Sequence, residues 1–166
     1  MIIFVNPRAT RPRNRRFPLS LMAIGAALPD TITWCIIDGN RPDVNVLEAV
    51  SNHINTQRGG HDPVRAVAFT VMPGPQLVSA VPIAAAVKAR HPDVPIVWGG
   101  NFPSLYPTSV LNADYVDWVV KGQGEATFGE LLDVLDGRRD PTEVDGLAFR
   151  KPDGTNWIGP ERHWRG

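Results

Sequence analysis

Five short apolar runs punctuate the chain, at residues 2–5, 32–37, 66–69, 95–98 and 116–120, and all are rich in β-branched or aromatic side chains. Each is mostly continuous rather than alternating, and each ends in small, polar or turn-forming residues. A strand with one wet face alternates apolar and polar positions. Unbroken runs of this length suit strands buried on both faces of a parallel sheet. Helical spacings fill the intervals. Leu19, Leu21, Met22, Ile24 and Leu28 form one stretch, stopped by Pro29. Leu47, Val50 and Ile54 form a second, after a cap expected at Asp43. Val81, Ala84, Ala85 and Val87 form a third, for which Pro82 predicts a late start or a kink. Val110 and Leu111 suit a short helical turn. Phe128, Leu131, Leu132 and Leu135 make the clearest amphipathic helix, with Gly137 placed to end it.

Strand and helix alternating five times predict an α/β fold of the doubly wound, flavodoxin-like or Rossmann-like kind. A five-stranded parallel sheet in the order 2-1-3-4-5 is the expected topology. Right-handed crossovers then place the helix-leading loops along the carboxyl edge of the strands, where ligands of such sheets bind. The pattern changes after Gly137. Residues 144–150 and 155–158 flank Pro152-Asp153-Gly154 and read as a β-hairpin. The expected division is a Rossmann-like domain over residues 1–142, then a hairpin and linker over residues 143–166.

Charge and cysteine content narrow the function. Lys plus Arg and Asp plus Glu both count 17, so the chain lacks the positive excess on which an overall nucleic-acid or membrane-surface binder depends. The lone Cys35 can neither close an intrachain disulfide nor hold an iron–sulfur cluster, and it reads as a small buried core residue. No apolar run approaches the ~20 residues of a membrane span. The apolar start followed by basic residues reverses the order of a secretory signal, so a cytoplasmic location is expected. His53, His61, His91 and His163 share no segment with a Cys or carboxylate partner and read as surface or loop residues, which leaves no catalytic triad or metal cluster.

Four loops on the ligand edge carry the candidate site. The first begins Asn6, Pro7, Arg8 and continues through Arg11, Arg13, Arg15 and Arg16. It suits a phosphate or a partner's carboxylates, or else a solvated loop. No G-x-G-x-x-G follows the first strand, so the phosphate-binding turn of a dinucleotide site is missing. The second loop holds Thr70, Val71 and Met72; the Thr70 hydroxyl can meet a ligand or nearby backbone. In the third, Gly99, Gly100 and Asn101 leave a buried strand, and two residues without Cβ admit close approach or a simple turn. The fourth, Gly122, Gln123, Gly124 and Glu125, runs straight into the best helix, with Glu125 expected at its start.

Taken together, these loops resemble a known family. Trp98-Gly99-Gly100-Asn101-Phe102-Pro103-Ser104 is followed by Val116-Asp117-Trp118-Val119-Val120-Lys121-Gly122-Gln123-Gly124-Glu125-Ala126-Thr127-Phe128, and then by Val144-Asp145-Gly146-Leu147-Ala148-Phe149-Arg150. That order is similar to the N-terminal cobalamin-binding domain of the B12-dependent radical SAM enzymes. Asn6-Pro7, Pro18-Leu19 and Ile37-Asp38-Gly39 also resemble it, so the likeness covers nearly the whole chain. Phe102 stands where the family often has His, and Gln123 replaces the first Glu of a Gly-Glu-Gly-Glu run. The resemblance implies a corrinoid bound with its dimethylbenzimidazole tail displaced from cobalt and tucked into the domain. The Asp-x-His-x-x-Gly segment that supplies a cobalt-binding histidine in methionine-synthase-like modules is absent, so no histidine ligand and no metal-ligating residue is expected here.

The resemblance further implies a partner radical SAM domain, in cis or in trans, that holds the [4Fe–4S] cluster and S-adenosylmethionine. The parent reaction would be methyl transfer or oxidative cyclisation, with this module not catalytic alone. A flavin- or nucleotide-binding domain on the same fold, or a cofactor-free interaction module docking through the arginine loop, are the alternatives.

Overall fold

The computed structural model describes residues 1–9 and 17–162. Arg11, Arg13, Arg15, Arg16 and His163 lie outside the described residues. Seven strands form one sheet in the order β2-β1-β3-β4-β5-β6-β7. The first five are β1 (Ile2–Asn6), β2 (Trp34–Asp38), β3 (Ala66–Thr70), β4 (Ile96–Gly99) and β5 (Trp118–Val120), all paired in parallel. The expected 2-1-3-4-5 order therefore holds. The sheet is larger than the five strands expected. β6 (Leu147–Arg150) pairs antiparallel with β5, and β7 (Asn156–Ile158) pairs antiparallel with β6. The hairpin thus extends the parallel sheet, because Leu147 and Phe149 carry apolar side chains that only the sheet's own core can bury.

Both faces of the sheet are covered, as the unbroken apolar strands require. On one face Ile3, Val5, Val67, Phe69, Ile96 and Trp98 pack with α2 (Val46–Gln57), α3 (Pro75–Arg90) and α5 (Pro107–Leu111). On the other, Ile2, Phe4, Ala66, Ala68, Val97 and Val120 pack with α1 (Leu19–Ala27) and α6 (Gly124–Leu135). Every residue of β1 is buried. One short helix, α4 (Asn101–Leu105), follows β4 where the sequence reads as a turn.

Several boundaries differ from expectation for identifiable reasons. The cap of α2 is Asn45, whose side chain accepts from the Glu48 N–H, not Asp43. Helix α3 begins at Pro75, well ahead of Val81, and carries Pro82 in its interior. Proline at the first turn costs no hydrogen bond, and the carbonyl that Pro82 leaves free belongs to Val78, an exposed residue. His91 is a correction: it caps the end of α3 and is 5% exposed, not a surface residue. Cys35 is half-buried at the margin of the core rather than within it, and desolvation raises its thiol pKa. No helix among the described residues is long and apolar enough to cross a membrane.

Candidate functional site

The carboxyl edge of the sheet opens into a cavity of about 200 Å³ between α1 and α6. Its floor is formed by the strand residues Phe4, Ala68, Thr70, Val97, Gly99 and Val120. Parallel register sets Thr70 beside Gly99 and Gly99 beside Val120, so three strand ends meet at the mouth. Helix α1 supplies Ser20, Leu21 and Ile24 to one wall, while α6 and the loop before it supply Gly122, Gln123, Gly124, Glu125 and Phe128 to the other. The walls are apolar at depth and polar toward the loops. Apolar cavities of ~150 Å³ take up a benzene ring, so this space has the volume for an aromatic group of that size or somewhat larger.

Of the residues singled out in the sequence, Thr70, Gly99, Gly100, Gly122, Gln123, Gly124 and Glu125 come together around this cavity. Gly122 has φ +66 and nothing within 4 Å of where a Cβ would sit, so open space lies over its backbone. Gly100 is different. A Cβ there would lie 3.0 Å from both N and O of Val71, so this glycine serves the close packing of its own loop against the end of β3. The Val71 N–H donates to the Gly99 carbonyl, and the Val71 carbonyl accepts from the Phe102 N–H, which holds α4 in place. The Ser104 hydroxyl then joins the two glycine loops: it donates to the Gly100 carbonyl at 2.7 Å and accepts from the Gly122 N–H at 2.8 Å. Ser104 was not among the candidates, since nothing in its local sequence shows a bond reaching eighteen residues ahead.

Glu125 lies in the first turn of α6, as expected, and lines the cavity. Its Oε2 is buried and has no hydrogen-bond partner.

The other candidates lie elsewhere on the same edge. Asn6 and Pro7 are buried in a polar network that stitches strand ends together. The Asn6 amide donates to Asp38 at 2.9 Å, as expected of residues in register on β1 and β2. Gln76, on α3, donates to the Asn6 side-chain oxygen and to the Pro7 carbonyl. It also accepts from the Met72 N–H, while Asn40 donates to Asp38. Arg8 is exposed, and its backbone N–H meets the Ser79 hydroxyl. Met72 and Asn101 are exposed on the edge outside the cavity.

The described histidines line none of it. His53 bonds the Ala49 carbonyl within α2, His61 is exposed before β3, and His91 ends α3. Among the described residues no three of His, Cys, Asp and Glu converge on a point that could hold a metal ion.

Comparison with known proteins identifies the family. The family model described as the B12 binding domain matches residues 12–132. The anaerobic magnesium-protoporphyrin IX monomethyl ester cyclase of Synechocystis is 29% identical over 157 residues, covering 84% of this chain and 28% of the cyclase. The 2-(S-pantetheinyl)-carbapenam-3-carboxylate methyltransferase of Streptantibioticus cattleyicolor is 39% identical over 70 residues, 41% of this chain and 10% of that enzyme. Two solved structures share the fold. OxsB, a cobalamin-dependent S-adenosylmethionine radical enzyme with aqua-cobalamin and S-adenosylmethionine bound, superposes with a TM-score of 0.78 at 17% identity, over 98% of this chain and 22% of its own. TsrM of Kitasatospora setae, a radical S-adenosylmethionine methyltransferase with cobalamin and a [4Fe–4S] cluster bound, gives 0.77 at 21% identity, over 99% of this chain and 29% of its own. The chain spans about a quarter of the cyclases it matches, 28% of one and 22% of the other. The resemblance carried by the glycine loops is thus borne out across most of the sequence. The chain belongs to the B12-binding domain family.

Proposed function

We propose that this chain is the cobalamin-binding module of a B12-dependent radical SAM enzyme, holding the corrinoid with its nucleotide tail displaced from cobalt and seated between α1 and α6. The observation that carries this reading is the cavity itself. It is apolar enough for an aromatic base, opens at the carboxyl edge, and has glycine backbone at its mouth where a bulky ring system must approach. Gly122, with open space over its backbone, admits that approach, Gly124 lets Ile24 and Val120 pack against the start of α6, Thr70 and Gln123 offer hydrogen bonds at the mouth, and Phe4, Leu21, Ile24, Val97 and Phe128 exclude water below. His53, His61 and His91 all lie away from the cavity, so none of these side chains would hold the cobalt.

Bound cobalamin supplies a cobalt centre able to carry a methyl group or exchange electrons. The chain's own residues bind and orient it, and the module does not catalyse alone. The parent enzyme's radical SAM domain, in cis or in trans, would hold the [4Fe–4S] cluster and S-adenosylmethionine, and the parent reaction would be methyl transfer or oxidative cyclisation. On this reading residues 1–142 form the cobalamin-binding unit, and residues 143–166 form the hairpin and linker toward that domain.

The test is a titration of the purified chain with hydroxocobalamin, followed by visible absorbance and calorimetry, with FMN run in parallel. Saturable corrinoid binding without FMN binding is the expected result. FMN binding without corrinoid binding would overturn the reading in favour of a flavin domain.

A further inference from the structure

We propose that the cavity between α1 and α6 makes this chain select corrinoids by the base of the nucleotide tail, admitting bases with a hydrocarbon outer edge, such as benzimidazoles and phenols, and rejecting purines. The inference rests on the cobalamin reading above and adds to it the chemical class of tail that the site accepts.

Strand register divides the cavity into two levels. Phe4, Ala68 and Val97 stand side by side on β1, β3 and β4 and form its deep row. Thr70 and Gly99 stand side by side two residues further along β3 and β4, about 7 Å nearer the mouth. On α6, Phe128 sets its ring 5.3 Å from that of Phe4 and closes the deep level with a second aromatic face. The polar side chains that line the cavity come from higher up. Thr70 belongs to the mouth row, Ser20 and Glu125 to the first turns of α1 and α6, and Gln123 to the loop before α6.

The main chain adds nothing polar at depth. β1, β3 and β4 are interior strands, each paired in parallel on both sides. Their N–H and C=O groups are spent in the ladders, so the deep row presents carbon alone.

A flat base hung from a ribose at the mouth rests its outer edge on that row. Dimethylbenzimidazole brings two methyl groups there, and p-cresol brings one. Adenine brings two ring nitrogens and an amino group, which lose water and meet no partner. A buried polar group left unpaired is penalised far more than a missing hydrocarbon contact, so the deep row discriminates by chemistry more than by size.

The experiment titrates the 166-residue chain with four corrinoids, followed by visible absorbance. They are hydroxocobalamin, p-cresolylcobamide, adeninylcobamide, and diaquacobinamide as the form without base, ribose or phosphate. The expected result is that adeninylcobamide binds about tenfold or more weaker than hydroxocobalamin, the scale of one unpaired buried group. Adenine is the poorer donor and leaves cobalt more easily, which works against this order, so a weaker complex reports the cavity. p-Cresolylcobamide, with no nitrogen to release, binds at least as tightly as hydroxocobalamin, and diaquacobinamide binds more weakly than either.

Adeninylcobamide bound as tightly as hydroxocobalamin would overturn this inference alone. p-Cresolylcobamide bound no tighter than diaquacobinamide would overturn it in favour of a polar contact to the benzimidazole nitrogen. Four equal affinities would overturn it together with the seat of the tail, while corrinoid binding itself stands. If hydroxocobalamin does not bind, the module reading fails and this inference fails with it.

Discussion

The side-chain amide of Gln76 donates to the side-chain oxygen of Asn6 at 2.9 Å, with both residues buried and seventy positions apart in the chain. Its own oxygen accepts from the Met72 N–H at 2.8 Å, so one glutamine ties the end of β1 to the loop after β3 from the first turns of α3. These are the two strands on either side of the point where strand order reverses. The shape of the ligand edge there is set by side chains that do not line the cavity.

Gln76→Ala removes the donor to Asn6 and the acceptor for Met72 together. Each leaves a buried or half-buried group unpaired, which predicts a loss of about 2 kcal/mol in unfolding free energy by urea denaturation. A loss under ~0.5 kcal/mol, the range of ordinary surface changes, would show that the network is solvated and does not fix the edge.

Filling the cavity should separate binding from folding. Ala68 lies on the cavity floor, so Ala68→Leu places its added carbons in open space instead of against packed neighbours. A Tm equal to or above that of the unmodified chain is expected, with hydroxocobalamin affinity down about tenfold or more, equivalent to ~1.4 kcal/mol. Unchanged affinity in a visible-absorbance titration would place the tail elsewhere.

Thr127 is fully buried on α6, where its hydroxyl donates to the Asp145 carbonyl and accepts from the Arg162 guanidinium, which also pairs with Glu130. Lys121 reaches the Gly159 carbonyl from the other side at 2.7 Å. The hairpin is therefore fastened to the helix that forms one cavity wall. Thr127→Val keeps the shape and deletes both bonds, for an expected cost of about 1–2 kcal/mol measured by chemical denaturation. No loss would mean that water takes the hydroxyl's place.

Burial holds the His91 imidazole below its ordinary 6.5, helped by Arg58 and Arg90 and opposed by Asp93. With the folded-state value lowered, the unfolded chain takes up the proton first. Stability is therefore complete above about pH 7 and falls as the pH drops through 6.5. Urea midpoints at pH 7.5 and 5.5 should show this fall in the unmodified chain and a smaller one in His91→Asn. An equal fall in both would assign it to other groups.

Much of the fold could be read from sequence because burial on both faces leaves continuous apolar strands, and β1, β3 and β4 show this plainly. What escaped were features settled at a distance or by solvent. Pro82 reads as a late start or a kink, yet the helix starts at Pro75 and carries Pro82 in its interior next to an exposed turn. Asn101–Leu105 reads as a turn because Gly-Gly-Asn-Phe-Pro is turn-like, and it becomes helical once Phe102 bonds Val71. The glycine loops pointed to the mouth of the cavity. Its α1 wall, Ser20, Leu21 and Ile24, carried no signal, since α1 is apolar on several sides and only packing shows which one faces the site. Asn6 and Pro7 drew notice as edge residues, but their partner Gln76 is invisible without the fold.

The central claim is that the nucleotide tail leaves cobalt and enters the space between α1 and α6. Electron paramagnetic resonance of cob(II)alamin bound to the chain tests it most directly, because an axial nitrogen splits the cobalt lines into triplets. The account predicts no nitrogen splitting for cob(II)alamin bound to the unmodified chain, and a partial return of the triplet for Ala68→Leu at saturating corrinoid. A full triplet in the unmodified chain that is lost when cob(II)inamide, which lacks the tail, takes the place of cob(II)alamin would contradict it.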